Sequence, residues 1–386
     1  MFFNIGSKSL DNFPKNYQHN SLYINLDEGW HKSHDQHGNI LFYKGYVDNV
    51  NIEDVLLEIA NQEEPTFYGN FCLIKCFNQG VTIKADRLRS FPIWYSTHSG
   101  LTNLIPLELQ VWTDSVVMIQ NNGELVESKF KYLDSTESIA LTLDQVVDQV
   151  DNILSNKIQK FVQHNSLPLQ VFLSGGIDTG LLYSYILKYN IPHTLIDCEH
   201  IDFDYFYLKN RAAIRNFWGY EQIHHWREPC VLLSGTPGDE FTARSPTTAN
   251  MLMRFHGTSI PKLLADSKFS NSLHYTYFNN PTYFKMWSED TRDWGTRKEV
   301  ILDCINLIVN DYQHWHLGNT LTYTPLRDIR IFEIIARLEK EALIDQVMNS
   351  CVQIEIIKRN RPELLKYLSS QKNFNNMSNL TGILLK

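Results

Sequence analysis

The sequence predicts an α/β protein with two domains, the first rich in β-strands and the second built on a parallel sheet. Its 386 residues are enough to bury two hydrophobic cores. Apolar segments at residues 40–47 and 70–77 are separated by short Asn, Gly and Asp turns, which is typical of paired strands. From about residue 143, strand and helix patterns alternate, and this order favours a parallel sheet with helices on its faces. We place the domains at residues 1–130 and 131–386.

Each element follows from its own periodicity. Apolar residues in the 143–164 segment recur at helical spacing and predict a long helix, whereas the continuous apolar run at 167–173 predicts a buried strand. An amphipathic pattern at 331–348 predicts one packing helix. The remaining predicted elements are helices at 51–62, 181–189 and 205–218 and strands at 81–88, 193–199 and 230–233. The pattern over 101–135 is mixed, and we read it as the end of the first domain and a connection.

Charge and composition exclude several classes of function. The 35 basic and 43 acidic residues give a net charge of −8, which argues against a nucleic-acid-binding surface. No apolar run approaches the ~20 residues of a membrane span, and the N-terminus lacks the pattern of a secretory signal. Six cysteines, at positions 72, 76, 198, 230, 304 and 351, show no metal-ligand spacing. We therefore expect a cytoplasmic protein that binds neither nucleic acid nor membrane.

The SGGIDT segment (174–179) lies between a predicted strand and a predicted helix. Its glycines let backbone N–H groups approach an anion, the helix N-terminus favours negative charge, and Ser174 and Thr179 add hydroxyl donors. The turn therefore suits a phosphate. Asp178 repels a bare phosphate, so its presence indicates a Mg²⁺ that bridges the two. The alternative is that the two glycines only close a tight strand-to-helix turn.

A second turn, SGTPGDE (234–240), repeats this arrangement after the apolar strand at 230–233. Ligands of parallel sheets bind beyond the carboxyl ends of the strands. Because both turns are predicted at that edge, Asp178 and Asp239 could share one metal ion.

These motifs resemble those of the asparagine synthetase family, in the ATP-pyrophosphatase group. SGGIDT is similar to the pyrophosphate-binding motif SGGxD[ST], and SGTPGDE to the family's SGEGADE turn. Further along, TPLRDIRIFEIIARL (324–338) resembles the PFLD segment with its helix, and SSQKNF (369–374) the lysine-containing RQKxxF element. In the first domain, YGNFCLIKCF (68–77) and KADRLRSFPIWYS (84–96) are similar to stretches of the class II glutaminase domain.

The resemblance implies a parallel-sheet ATP-pyrophosphatase synthetase domain, preceded by a smaller β-rich, αββα-like glutaminase-type domain. It also implies ATP and Mg²⁺ as cofactors, with a carboxylate activated as an acyl-adenylate that an amine attacks. Carried over by position, the nucleotide-binding residues are Leu173, Ser174, Gly175, Gly176, Asp178, Thr179, Ser234 and Gly235. Asp178 and Asp239 are the implied metal ligands, and together with Lys372 they form the implied catalytic set.

The chain departs from the family in both halves. Phe2 stands where the glutaminases have a catalytic cysteine, and Lys44 and Tyr46 replace the Asn and Glu of their glutamine-binding motif. Tyr68 stands in place of an expected acidic residue. In the synthetase half, the departures from the family's substrate-associated residues are Thr236, Leu321 and Tyr323.

The function expected from this pattern is an ATP- and Mg²⁺-dependent amide-forming synthetase without its own glutaminase activity. It is similar in this respect to the β-lactam synthetases and lasso-peptide cyclases. The expected substrate is a small-molecule or peptide carboxylate, and a homodimer is one option for the assembly. Two alternatives stay open: an asparagine synthetase that uses ammonia, and a non-catalytic nucleotide-binding scaffold.

Overall fold

The computed structural model describes residues 3–11, 13–62, 66–86, 93–96, 100–102, 111–112, 116–129, 140–172, 176–196, 229–235, 238–242 and 320–368. The protein belongs to the mixed α/β class and contains both antiparallel and parallel strand pairing. Its chain divides into two compact units. One consists of Met1–Tyr132, Ile201–Val231 and Val309–Tyr323, and the other of Leu133–His200, Leu232–Ile308 and Thr324–Lys386.

The described part of the first unit contains two antiparallel six-stranded sheets. The strands of the first sheet are β1 (Phe3–Gly6), β2 (Lys15–His19), β3 (Leu22–Leu26), β8 (Trp94–Ser96), β9 (Gly100–Thr102) and β10 (Val111–Trp112). Their order is β10-β8-β9-β1-β3-β2. The second sheet contains β4 (His31–His34), β5 (Ile40–Val47), β6 (Gly69–Phe77), β7 (Gly80–Ala85), β11 (Val116–Gln120) and β12 (Leu125–Lys129). Their order is β12-β11-β7-β6-β5-β4.

Strand alternation sends the side chains of the second sheet into two separate cores. Phe42 of β5 packs in a cluster with Ile5 and Ile24 of the first sheet, so this core contains residues of both sheets. Its neighbours Leu41 and Tyr43 point to the opposite face and pack in a second cluster. That cluster includes Leu56, Ile59 and Ala60 of helix α1 (Ile52–Asn61). The described elements are therefore layered as helix, sheet and sheet.

A four-stranded sheet carries the strand-to-helix turns singled out in the sequence. It contains β13 (Leu169–Phe172), β14 (Thr194–Ile196), β15 (Cys230–Leu233) and β16 (Thr320–Tyr323) in the order β14-β13-β15-β16. β13 and β14 are parallel, with Val171 opposite Leu195. The described helices of the second unit are α2 (Leu143–His164), α3 (Ile177–Lys188), α4 (Gly238–Phe241), α5 (Ile329–Ile335), α6 (Lys340–Asn349), α7 (Cys351–Asn360) and a 3₁₀ helix at Pro362–Tyr367.

The long helix predicted at 143–164 is confirmed with the same bounds as α2. Its start is fixed by a capping box, in which the Thr142 hydroxyl accepts from Gln145 N and the Gln145 side chain accepts from Thr142 N. The strand at 40–47 and the helix around 51–62 are also confirmed. The second helix of the parallel region begins at Ile177, four residues before the predicted 181, directly after Gly176.

The single amphipathic helix predicted at 331–348 is wrong. The structure has two helices there, α5 and α6, and residues 336–339 between them are not helical. There Leu338 forms a parallel bridge with Leu141. Leu141 N donates to Arg337 O at 2.8 Å, and Glu339 N donates to Leu141 O at 3.2 Å. Leu338 is buried here, as the apolar face of a single helix would also require, so the apolar spacing gave no sign of the interruption.

The mixed pattern over 101–135, which we read as the end of the first domain and a connection, contains strands that were not predicted: β11 and β12 form an edge hairpin of the second sheet. The register of this pair shifts between Met118 and Ile119. Such an irregularity disrupts the two-residue alternation by which a strand is recognised in sequence.

The helix predicted at 205–218 lies outside the described residues. Within the described ranges, no helix combines the length and the apolar character that a membrane crossing needs.

Candidate nucleotide-binding site

The first half of the candidate site is the N-terminus of α3, the helix that follows strand β13 in the chain. Gly176 is the N-cap residue, with φ −76° and ψ 155°. Because glycine has no side chain, no side-chain hydrogen bond caps this helix. Asp178 lies half-buried in the first turn of the helix, and Thr179 beside it is buried. The backbone N–H groups of a first helical turn have no partners within the helix, which makes this end a suitable place for an anion.

The second half is the turn after β15, and it lies directly against the first turn of α3. A Cβ placed on Gly235 would stand 2.8 Å from Thr179 N and 2.9 Å from Thr179 Oγ1. A Cβ placed on Gly238 would stand 2.6 Å from Asp178 Cγ. All three distances are shorter than real Cβ contacts, so only glycine permits this approach. The two turns that the sequence singled out are therefore brought together.

The acidic residues of the two turns differ in exposure. Asp239 is exposed on the helical turn α4, which begins at Gly238, whereas Asp178 is half-buried against Gly238 itself. Ser234 is half-buried at the end of β15. Among the residues that the structure describes, no group of three or more His, Cys, Asp or Glu side chains could hold a metal on its own. Mg²⁺ usually binds through one or two carboxylates together with phosphate oxygens and water, so the two aspartates fit a magnesium–nucleotide complex and not a protein-only metal site.

A buried amide network, which the sequence reasoning missed, supports Asp178. Gln353 Nε2 donates to Asp178 Oδ1 at 3.1 Å and to Thr242 Oγ1 at 2.9 Å. The Thr242 hydroxyl in turn donates to Gly238 O at 2.7 Å. The same glutamine therefore contacts the carboxylate in the first turn and, through one hydroxyl, the backbone of the second turn.

A second glutamine fixes the first. Gln346 Nε2 donates to Gln353 Oε1 at 2.8 Å and to Thr242 O at 2.8 Å. Its Oε1 accepts from Val352 N at 2.9 Å. Both glutamine side chains have an accessible fraction of 0%, and every amide hydrogen of the pair has an acceptor. A fully satisfied buried network of this kind holds one arrangement of its side chains.

A buried ion cluster lies at the start of α5, in the segment that resembles PFLD. Lys157 Nζ is 3.0 Å from Asp328 Oδ2, and both side chains are almost completely buried. Arg330 Nε donates to Asp328 Oδ1 at 2.9 Å. Burial opposes the charge on Asp328, but Lys157 and Arg330 outweigh that effect and lower the pKa of its carboxyl to about 2. Asp328 also caps the helix by accepting from Arg330 N.

Several of the residues singled out in the sequence lie outside the described residues. They are Phe2, Leu173, Ser174, Gly175, Thr236 and Lys372. Of the two departures near Pro325, Leu321 is half-buried and Tyr323 is buried on β16.

Lys44, one of the two residues predicted to replace the glutamine-binding motif, has an ion-pair partner within the first unit. The Lys44 side chain is buried on β5, 3.4 Å from Asp27 Oδ1, and donates to Glu28 O. Burial lowers the pKa of the Lys44 ammonium, and the charge of Asp27 acts against that shift. Lys44 is therefore occupied by an internal ion pair.

Two described cysteines of the first unit, Cys72 and Cys76, are poor candidates for a nucleophile. Cys72, Cys76, Cys230 and Cys351 are all buried free thiols. Burial raises the pKa of the Cys72 thiol well above its usual range, and that of Cys76 to about 12. Neither is a thiolate at neutral pH, and the thiolate is the reactive form.

Comparison with known proteins gives no match, either among protein-family models or among curated protein sequences. The resemblance to the asparagine synthetase family therefore stays a prediction carried by the residues of this chain.

Replacing Gly238 with alanine tests the close approach of the two turns. The new Cβ would meet Asp178 Cγ at 2.6 Å and Leu326 Cδ1 at 2.8 Å, so both neighbours must move. We expect a loss of about 1–3 kcal/mol in the free energy of unfolding, measured with urea, since overpacking of a close contact costs this much.

Gly180→Ala, two residues from Asp178 on α3, is the matched control. Its Cβ would meet only the branched end of the Leu368 side chain, which can rotate away, and alanine is the better helix former by up to about 1 kcal/mol. We expect this variant to be as stable as the wild type or slightly more stable. Equal losses in both variants would contradict the packing described at Gly238.

Proposed function

We propose that this protein is an ATP- and Mg²⁺-dependent synthetase that forms an amide from a carboxylate through an acyl-adenylate. The observation that carries the proposal is the close contact between the first turn of α3 and the Gly235–Gly238 turn. This contact places a half-buried carboxylate, Asp178, beside a helical turn whose exposed carboxylate is Asp239.

Each half of the site supports a separate part of this chemistry. The N-terminus of α3 favours negative charge and so suits the oxygens of a triphosphate, and Gly176 has no side chain to obstruct their approach. Asp178, which accepts a hydrogen bond from Gln353, is proposed as the more buried of the two metal ligands. The exposed Asp239 is proposed as the second ligand. ATP, when bound with Mg²⁺, supplies an electrophilic phosphorus that a substrate carboxylate can attack, with pyrophosphate as the leaving group.

The finer fold assignment belongs to the same proposal. The strand-turn-helix order around β13 and α3, with a parallel neighbour strand, supports a synthetase domain of the ATP-pyrophosphatase type. The helix–sheet–sheet layering of the first unit supports a glutaminase-type domain. Lys44 in its ion pair and the protonated Cys72 support the view that this domain does not hydrolyse glutamine. The amine is then ammonia or an amine of the substrate itself.

Release of pyrophosphate from ATP and Mg²⁺ tests the proposal. The full chain is assayed beside Asp178→Ala and Lys372→Ala, first with aspartate and ammonia and then with a panel of carboxylates and peptides. Release that requires a carboxylate and is lost in both variants supports adenylation, and the effective addition identifies the substrate class. Release with aspartate and ammonia supports an asparagine synthetase. ATP binding without release under any addition overturns the proposal in favour of a scaffold.

A further inference from the structure

We infer that Gln353 is a positioning residue for the metal-binding carboxylate of Asp178. The inference rests on the proposed function, because it concerns the role that Asp178 has there. It goes further by assigning a role to a residue that no sequence motif marks.

The geometry carries the first step. Gln353 Nε2 is 3.1 Å from Asp178 Oδ1, and these two residues are 175 positions apart in the chain. An N–H donor at one carboxylate oxygen restricts rotation about the Cβ–Cγ bond, and thereby sets the direction in which the carboxylate presents its lone pairs. A metal ligand needs this restriction because hydrogen bonds from neighbouring residues to the ligands commonly set both the orientation of the ligands and the affinity for the metal.

The second step rests on the burial of Gln353 and on its hydrogen bonds, which occupy the whole amide group. Gln353 cannot turn away from Asp178 without loss, because its other hydrogen is bonded to Thr242 Oγ1 and its Oε1 to Gln346 Nε2. All three side chains are buried. A glutamine that served only to fill the core could be an apolar residue of the same volume, since replacing a buried polar network by well-packed apolar groups is often neutral. The network instead ends on a carboxylate that is half-exposed at the candidate site.

The third step links the glutamine to both turns. Through Thr242 the network reaches Gly238 O, so one amide group relates the position of the α3 turn to that of the α4 turn. A shift of Gln353 would therefore change the placement of Asp178 relative to Asp239. The expected consequence is weaker Mg²⁺ binding in the presence of ATP.

The test is calorimetric titration of the full chain with ATP at a series of Mg²⁺ concentrations. Gln353→Met keeps the volume and removes the amide, and we expect it to raise the half-saturating Mg²⁺ concentration about 10-fold, the lower end of the loss typical for such outer partners. Gln353→Asn, which keeps an amide but is one carbon too short to reach Asp178, is the second variant and should show a rise in the same direction. It remains informative if the methionine variant does not fold.

Thr242→Val is the matched control, because it removes a hydrogen-bond partner of Gln353 without removing the contact to Asp178. Gly238 O keeps a donor in this variant, since Thr242 N also donates to it at 2.8 Å. We expect a smaller rise in its half-saturating Mg²⁺ concentration than in Gln353→Met, because Gln353 keeps its direct bond to Asp178 and loses only its bond to the Thr242 hydroxyl. Equal rises in the glutamine and threonine variants would reduce Gln353 to a structural residue and overturn the inference.

A double-mutant comparison separates positioning from general destabilisation. In an Asp178→Ala background, Gln353→Met is expected to cause no further change in the Mg²⁺ dependence of ATP binding. An unchanged Mg²⁺ dependence in Gln353→Met alone would overturn the inference and leave the proposed function intact. ATP binding by the wild type that does not depend on Mg²⁺ would overturn both.

Discussion

Replacing Asp178 with asparagine is expected to lower the rate of pyrophosphate release at least about 100-fold, with little change in the fold, because the variant loses a metal-binding charge. Asparagine has the same shape, and its amide oxygen can still accept the hydrogen bond from Gln353 Nε2, which is 3.1 Å from Asp178 Oδ1. The change therefore removes charge and leaves the supporting network in place. The rate is measured at saturating ATP over a range of Mg²⁺ concentrations.

Asp144→Asn provides the matched control. Asp144 is the second residue of α2, as Asp178 is of α3, so both carboxylates have the same relation to a helix N-terminus. Asp144 is exposed on a helix whose N-terminus is closed by a capping box. We expect full activity from this variant. A comparable loss of rate in both would show that the helix-terminal charge matters only for stability, and the metal role of Asp178 would fall.

The parts of the fold that follow from local chemistry could be predicted from the sequence. The apolar spacing and the Thr142–Gln145 pair fix α2 from within its own segment. The glycines at 235 and 238 were also informative in the sequence, since glycines at a strand end indicate that another segment of the protein approaches the backbone closely there. The structure gives the partner of that approach, which is the first turn of α3.

The parts that depend on distant residues could not be predicted. The helix is interrupted between α5 and α6 because the backbone of Leu141, far away in the chain, pairs with Arg337 O and Glu339 N. Those two groups are then not available for a continuous helix. Gln346 and Gln353 stand seven residues apart in a stretch, QVMNSCVQ, that is half polar, so nothing in the sequence indicated that these two glutamines are buried. Their partner Asp178 is 175 positions from Gln353, so only the folded chain shows what the amides contact.

Replacing Asp328 with asparagine is expected to reduce the free energy of unfolding by about 3–5 kcal/mol, because it leaves a buried ammonium without its principal counter-charge. The Lys157 side chain has an accessible fraction of 3%, and its Nζ is 3.0 Å from Asp328 Oδ2. Asparagine is as good an N-cap residue as aspartate, so the cap of α5 is retained and the loss reports on the charge. Urea unfolding at neutral pH provides the measurement.

The pH dependence of this loss gives an independent check on its cause. The pKa of Asp328 is about 2 in the folded protein against an ordinary value of 3.8. A carboxyl whose pKa is lowered by folding contributes stability above its unfolded pKa and loses that contribution as the pH falls through the folded value. The difference between wild type and Asp328→Asn should therefore be constant from pH 7 to about 5 and shrink below about 4.

The exposed ion pair between Arg359 and Asp148 offers the comparison that isolates burial. Its Nη1–Oδ1 distance is 2.6 Å, but the two side chains are 42% and 67% exposed. Water and salt screen such a pair, so Asp148→Asn should cost no more than about 0.5 kcal/mol. The same chemical change thus has a small effect where solvent replaces the lost partner and a large one where nothing does. A small loss in Asp328→Asn would mean that Lys157 finds another partner or reaches water, and the buried cluster would then not be what holds α2 against the start of α5.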